Sequence, residues 1–161
     1  MIQRLIVIMT ILMSAPVFAK DLTNRLGVGY SNHFSESLPS LSVSYYNSPD
    51  MAFSASIGVD TQENNSKFGF MARMKRIIFP ENNLNFYMGA GAGILSYENN
   101  AGTTDSGFEL NGFAGAEFFF SGLENLGFNF EFGIGVSSVS SQVRFYTLGQ
   151  SPVHAGITFY F

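Results

Sequence analysis

The chain has 161 residues, of which 46% are hydrophobic, 16% aromatic and only 12% charged, about half the charged fraction of an average soluble domain. It contains no cysteine, which excludes disulfide scaffolds, thiolate metal sites and cysteine nucleophiles. Eight Lys and Arg against twelve Asp and Glu give a net charge of -4, and with no basic cluster to track a phosphate backbone, nucleic-acid binding is not expected.

The chain opens with one basic residue in Met1 to Arg4, an apolar run from Leu5 to Met13 broken only by Thr10, and Val17-Phe18-Ala19 with small residues where a signal peptidase reads. This layout predicts a secretory signal peptide over residues 1–19, since the run is shorter than the roughly 20 residues of a spanning helix. The mature domain is expected at 20–161, with no cysteine after the cleavage point to carry a lipid anchor.

Beyond Lys20 the apolar residues recur at every second position, the period of strands. Strands are predicted at about 25–31, 41–46 with a start as early as Leu38, 51–60, 66–79, 84–97 and 106–120. In the seventh, Phe128, Phe130, Phe132, Ile134 and Val136 share one face while Asn129, Glu131, Gly133, Gly135 and Ser137 share the other. The eighth runs from Val153 to Phe161, with every odd position apolar.

Short connections with Pro, Gly, Asn or Asp at 47–50, 80–83 and 121–125 alternate with longer polar ones at about 32–40, 61–65, 98–105 and 138–150. Long and short connections therefore fall on opposite ends of an up-and-down sheet, the asymmetry of outer-membrane barrels. Strands of about ten residues tilted about 45° cross the hydrocarbon, and closing the sheet leaves no backbone edge unpaired in lipid. The expected fold class is all-β: an eight-stranded antiparallel up-and-down transmembrane β-barrel after a cleaved signal peptide.

The signal sequence, the eight alternating segments, the glycine-rich Tyr87-Met88-Gly89-Ala90-Gly91-Ala92-Gly93 and a last strand ending in Phe161 together resemble the small outer-membrane barrels of the OmpA/OmpX type. The resemblance covers the mature chain as a pattern, and its most specific element is Ile157-Thr158-Phe159-Tyr160-Phe161. It implies an integral protein of the bacterial outer membrane, and an assembly signal in Ile157, Phe159 and Phe161 read by the barrel-assembly machinery. The expected partners are that machinery, outer-membrane lipids and an unidentified surface ligand, with the barrel a monomer.

With the continuous apolar phase facing lipid, Phe68, Phe70, Ala72 and Met74, then Phe86, Met88 and Ile94, then Phe108, Leu110 and Phe118 point outward. Phe79, Phe86, Phe118, Phe120, Phe128, Phe159 and Phe161 form the lower aromatic girdle, with Tyr30, Phe68 and Phe108 at the upper rim. The opposite phase brings Lys67, Arg73, Lys75, Glu109, Glu117 and Glu131 inside among glycines. Three positive and three negative charges predict an interior polar network with a structural role, because an unpaired charge there costs several kcal/mol. Arg76 is the exception that points outward, one turn from Phe79.

Chemistry beyond structure has few candidates. His33 lies among hydroxyls and Glu36 in the first outer loop, and His154 points inward near the outer end of the last strand. The order around His33 does not match the His-x-Ser-Asn run of lipid A deacylases, so His33 is read as a solvated loop residue and no catalytic residue is assigned. No second His stands at ligand spacing, and Gly89 to Gly93 lies within a strand, so neither a metal nor a nucleotide cofactor is expected.

The expected function is non-enzymatic, either structural or carried by the extracellular loops. The alternatives are an OmpW-like conduit for small apolar molecules past inward-facing Leu95, Tyr97 and Phe113, a lipid A-modifying enzyme, or a soluble lipocalin-type carrier with the greasy face inside.

Overall fold

The computed structural model describes residues 20–98, 102–148 and 154–161; the segment 1–19, read as a signal peptide, lies outside them, as does Val153. Among the described residues there is no helix and there are nine β segments: β1 (Leu26–Ser31), β2 (Ser40–Ser48), β3 (Met51–Asp60), β4 (Lys67–Glu81), β5 (Leu84–Glu98), β6 (Thr104–Phe119), β7 (Leu126–Val139), β8 (Gln142–Thr147) and β9 (His154–Tyr160). Every pairing is antiparallel, and β1 pairs with both β2 and β9, which closes the barrel.

The barrel has eight staves, because β8 and β9 are two pieces of the last one. The lower half of β7 pairs with β9, from Leu126↔Phe159 to Glu131↔His154, and the upper half pairs with β8, from Ile134↔Thr147 to Val139↔Gln142. The stretch expected as the longest outer connection, 138–150, holds Val143, Phe145, Tyr146 and Leu148, apolar enough to extend the flanking strands, and its described part is mostly the tip and arm of this hairpin. Its turn residues Ser140 and Ser141 both have positive φ, 46° and 66°, as the tightest hairpin turn requires. Serine in that conformation is strained where glycine is not. Ser141→Gly is therefore expected to stabilise the hairpin by about 1 kcal/mol. A urea midpoint in detergent checks this, and an unchanged or lower midpoint would count against a strained turn.

Ile157 of β9 pairs with Tyr30 of β1 on one edge and Phe128 of β7 on the other. Followed the long way round, through Leu41, Ile57, Phe70, Ile94 and Phe108, the pairing reaches β7 at Ser138, ten residues above Phe128. Such a stagger tilts the strands and makes the rim climb from β1 toward β7. The β1–β2 hairpin consequently ends, at Ser31 and Ser40, well below the tops of β5 to β8. Tyr30, expected at the upper rim, sits below it for the same reason.

The alternation sorts the side chains as its period demands. Phe70, Met74, Met88, Ile94, Phe108, Leu110, Phe132 and Ile134 all stand exposed on the outer wall. So continuous an apolar belt far exceeds the few hundred Å² found on soluble monomers. At the lower end Phe118 meets Phe120 at a centroid distance of 4.8 Å, Phe120 meets Phe128 at 5.4 Å and Phe79 meets Phe86 at 6.2 Å. Arg76 points outward, its Nε 3.7 Å from Asp50 of the adjoining turn. Beneath the barrel Lys20 Nζ lies 2.9 Å from Glu124 Oε2. That hydrogen bond and charge hold the exposed carboxyl below its ordinary range.

Candidate functional site

A barrel of eight staves is just wide enough for side chains to fill it, so what this chain can do is decided by how its lumen is occupied. From the lower end upward the filling is layered. Leu22, from the segment before β1, plugs the bottom and joins the buried Tyr46, Ala52, Ile77, Tyr87, Phe119 and Tyr160.

Two ion-pair layers lie above this apolar floor. Glu117, fully buried, accepts from Lys75 Nζ at 3.0 Å, from the Tyr46 hydroxyl at 2.8 Å and from the Tyr160 hydroxyl at 2.6 Å. The Lys75 ammonium also sits 4.9 Å from the ring of Tyr46 and 4.8 Å from that of Tyr87. Glu131 takes a two-pronged contact from Arg73, at 2.7 and 3.3 Å, and a hydrogen bond from the Tyr87 hydroxyl at 2.8 Å. The Arg73 guanidinium lies over the ring of Phe113 at 3.6 Å. Each carboxylate thus has a cation, at least one tyrosine hydroxyl and an aromatic lining, the combination that offsets desolvation of a buried pair.

The upper lumen is closed by the chain itself. Residues 32–39, between β1 and β2, fold down into the barrel, and Phe34 and Leu38 pack with Met71 and Leu95. The inner wall has vacated room for them: a Cβ on Gly69 would lie 2.7 Å from the Phe34 ring, and one on Gly58 2.7 Å from Leu38. Glu109 Oε2 accepts the Ser35 N–H at 3.0 Å. Arg144 of β8 holds Glu36 at 2.8 Å, and His154 Nδ1 contacts the Asn32 carbonyl. These contacts tie the loop to the side of the barrel where β1 and β2 stop short.

The six charged residues expected to share one network are therefore distributed. Arg73 meets Glu131 and Lys75 meets Glu117, while Glu109 serves the loop backbone. Lys67 stands half-buried in a rim cleft of about 200 Å³ with Asp60, Tyr97 and Glu98, and makes no ion pair among the described residues. Its height near the mouth leaves it above the paired layers. Tyr46, Tyr87 and Tyr160 complete the paired layers with their hydroxyls, a role that only their inward parity on β2, β5 and β9 marks in the sequence. Ile157, Phe159 and Phe161, the expected assembly signal, are exposed on the outside of the wall.

His33 is a correction. Expected in solvent, it is only 7% exposed, because the loop that carries it enters the lumen. Its Nδ1 lies 3.0 Å from Ser31 Oγ and its Nε2 3.3 Å from Glu131 Oε2. Hydroxyl, imidazole and carboxylate in that order are the parts of a nucleophilic triad. The space beside them is a cavity of about 20 Å³ shared with Ser42, Ser44 and Ser54, room for a water molecule and not for an ester substrate. Glu131 is meanwhile committed to Arg73 and Tyr87.

No protein-family model matches the chain, and no curated protein matches it in sequence. Among solved structures it is similar to the N-terminal β-barrel domain of Pseudomonas aeruginosa OprF, with a TM-score of 0.61 and 15% identity, covering 86% of this chain and 98% of that one. Neisserial surface protein A is also similar, with a TM-score of 0.46 and 13% identity over 85% of this chain and 94% of that one. The likeness to the OprF domain shows the closed antiparallel barrel as the fold of small outer-membrane barrels.

Proposed function

We propose that the chain is an integral outer-membrane barrel with a sealed lumen, a structural anchor that acts through its outer rim and loops as neither pore nor enzyme. The observation that carries this reading is the filled interior: Leu22 and three tyrosines below, two ion-pair layers in the middle, Phe34 and Leu38 above. The belt of exposed apolar residues supplies the surface that lipid covers. Ser31, His33 and Glu131 then serve to hold the plug, since no substrate can reach them.

The conduit reading is the weaker one. Leu95 and Phe113 do face inward, but Phe34 and Leu38 occupy the apolar space that a passing molecule would need. A surface partner would meet the rim instead, where the cleft around Asp60, Lys67, Tyr97 and Glu98 combines both charges with an aromatic face. Insertion through Ile157, Phe159 and Phe161 by the assembly machinery, and a monomeric barrel, complete the proposal.

Two measurements test it together. The protein should be recovered from the outer-membrane fraction with a gel mobility that shifts on boiling, and it should give no single-channel steps in planar bilayers. Recovery in the soluble periplasm without a shift would overturn the membrane assignment. Discrete conductance from the folded protein would overturn the sealed lumen and return the conduit to first place.

A further inference from the structure

The outer wall of the β6–β7–β8 sheet carries an apolar groove of about 600 Å³. Two rows of paired residues build it: Leu110, Val136 and Phe145 side by side across the three strands, and two residues further along, Gly112, Ile134 and Thr147. Apart from the Thr147 hydroxyl these outward positions offer only hydrocarbon. Phe145 stands 83% exposed and forms one wall. Gly112 leaves a gap beside Leu110 and Ile134, and a Cβ added there would meet no atom within 4 Å.

We propose that this groove is a binding site for one acyl chain of an outer-leaflet lipid, held more firmly than the lipid around the rest of the barrel. The proposal rests on the reading of the chain as a membrane barrel. Three observations choose this occupant. The groove is continuous with the exposed belt through Phe108 and Phe132, so what reaches it from the side is hydrocarbon. The climb of the register toward β7 places it in the upper half of the wall, facing the outer leaflet. No charged side chain lines it, and Asn111 and Tyr146, which border it from the inward phase, keep Oδ1 and the hydroxyl buried within the barrel, so a polar or peptide ligand would find Thr147 as its accessible side-chain partner. A groove with a glycine floor and an aromatic wall packs a flexible chain on several sides, where the convex remainder of the belt touches it on one.

The test uses the whole mature protein in vesicles of phosphatidylcholine doped with a phosphatidylcholine that carries a diazirine on its acyl chain. After irradiation, the attached lipid is mapped by peptide mass spectrometry. The expected result is severalfold heavier labelling across 110–112, 134–136 and 145–147 than at belt positions such as Val43, Phe53 and Phe70. Gly112→Phe, whose Cβ has open space around it and whose ring would occupy the groove, should bring labelling there down to the level of the rest. Phe145→Ala, which removes the wall at a largely exposed position, should do the same by a different route. Even labelling round the belt, or labelling unchanged in both variants while their gel shift on boiling is intact, would overturn the site and leave the membrane reading standing. No labelling anywhere on the belt would overturn both.

Discussion

Glu117→Leu should lower the stability of the folded barrel by about 3–5 kcal/mol, the cost of leaving a buried charge without its partner. The carboxylate accepts three donors at once, Lys75 and the hydroxyls of Tyr46 and Tyr160. Losing it strands an ammonium whose side chain is 12% exposed and two phenols in the same enclosed layer. Urea titration of the refolded protein in detergent gives the loss as a fall in midpoint. Adding Lys75→Met should recover part of it, because removing both members of a buried pair costs far less than removing one. A single variant as stable as the parent would show that the layer does not hold the barrel together.

Phe34→Ala combined with Leu38→Ala should remove about 4–6 kcal/mol from the docking of the first loop, less than the two single losses added, because the side chains share one pocket. The loss falls on the loop and not on the sheet, whose hydrogen-bond ladder it does not enter. The plug should therefore become accessible to protease added from outside while the barrel keeps its gel shift. Conductance should stay absent, since the Arg73–Glu131 and Lys75–Glu117 layers still fill the lumen below. A loop as protected as in the parent would mean that the apolar contacts are not what holds it inside.

Several features could be read before any coordinates, because they depend on a period and not on a partner. A two-residue repeat places Phe70, Met88 and Phe132 outside and Arg73, Glu117 and Glu131 inside whatever the register. It equally places Phe118, Phe120 and Phe128 in one lower girdle, where their rings do meet. The hairpin at Ser140-Ser141 escaped because its turn lacks the Asn or Gly that normally announces one. Without that mark, the apolar strip from Val143 to Leu148 shows that the flanking strands can extend there but not where the chain turns.

Other features depend on distance around the barrel, which no local pattern encodes. Lys67 and Arg73 share a strand and a face, yet among the described residues only Arg73 of the two makes an ion pair: the stagger of ten residues brings Arg73 level with Glu131 across the lumen and leaves Lys67 at the rim beside Asp60 and Glu98. The same stagger stops β1 and β2 short and so turns a loop expected in solvent into a plug, burying His33 beside Glu131. By itself the sequence determined strand direction, facing and girdles, because side-chain alternation is a local consequence of backbone geometry. Only the tertiary structure decided the pairing of charges, the tyrosine partners and the closure of the lumen, because these follow from how a tilted sheet meets its own edge.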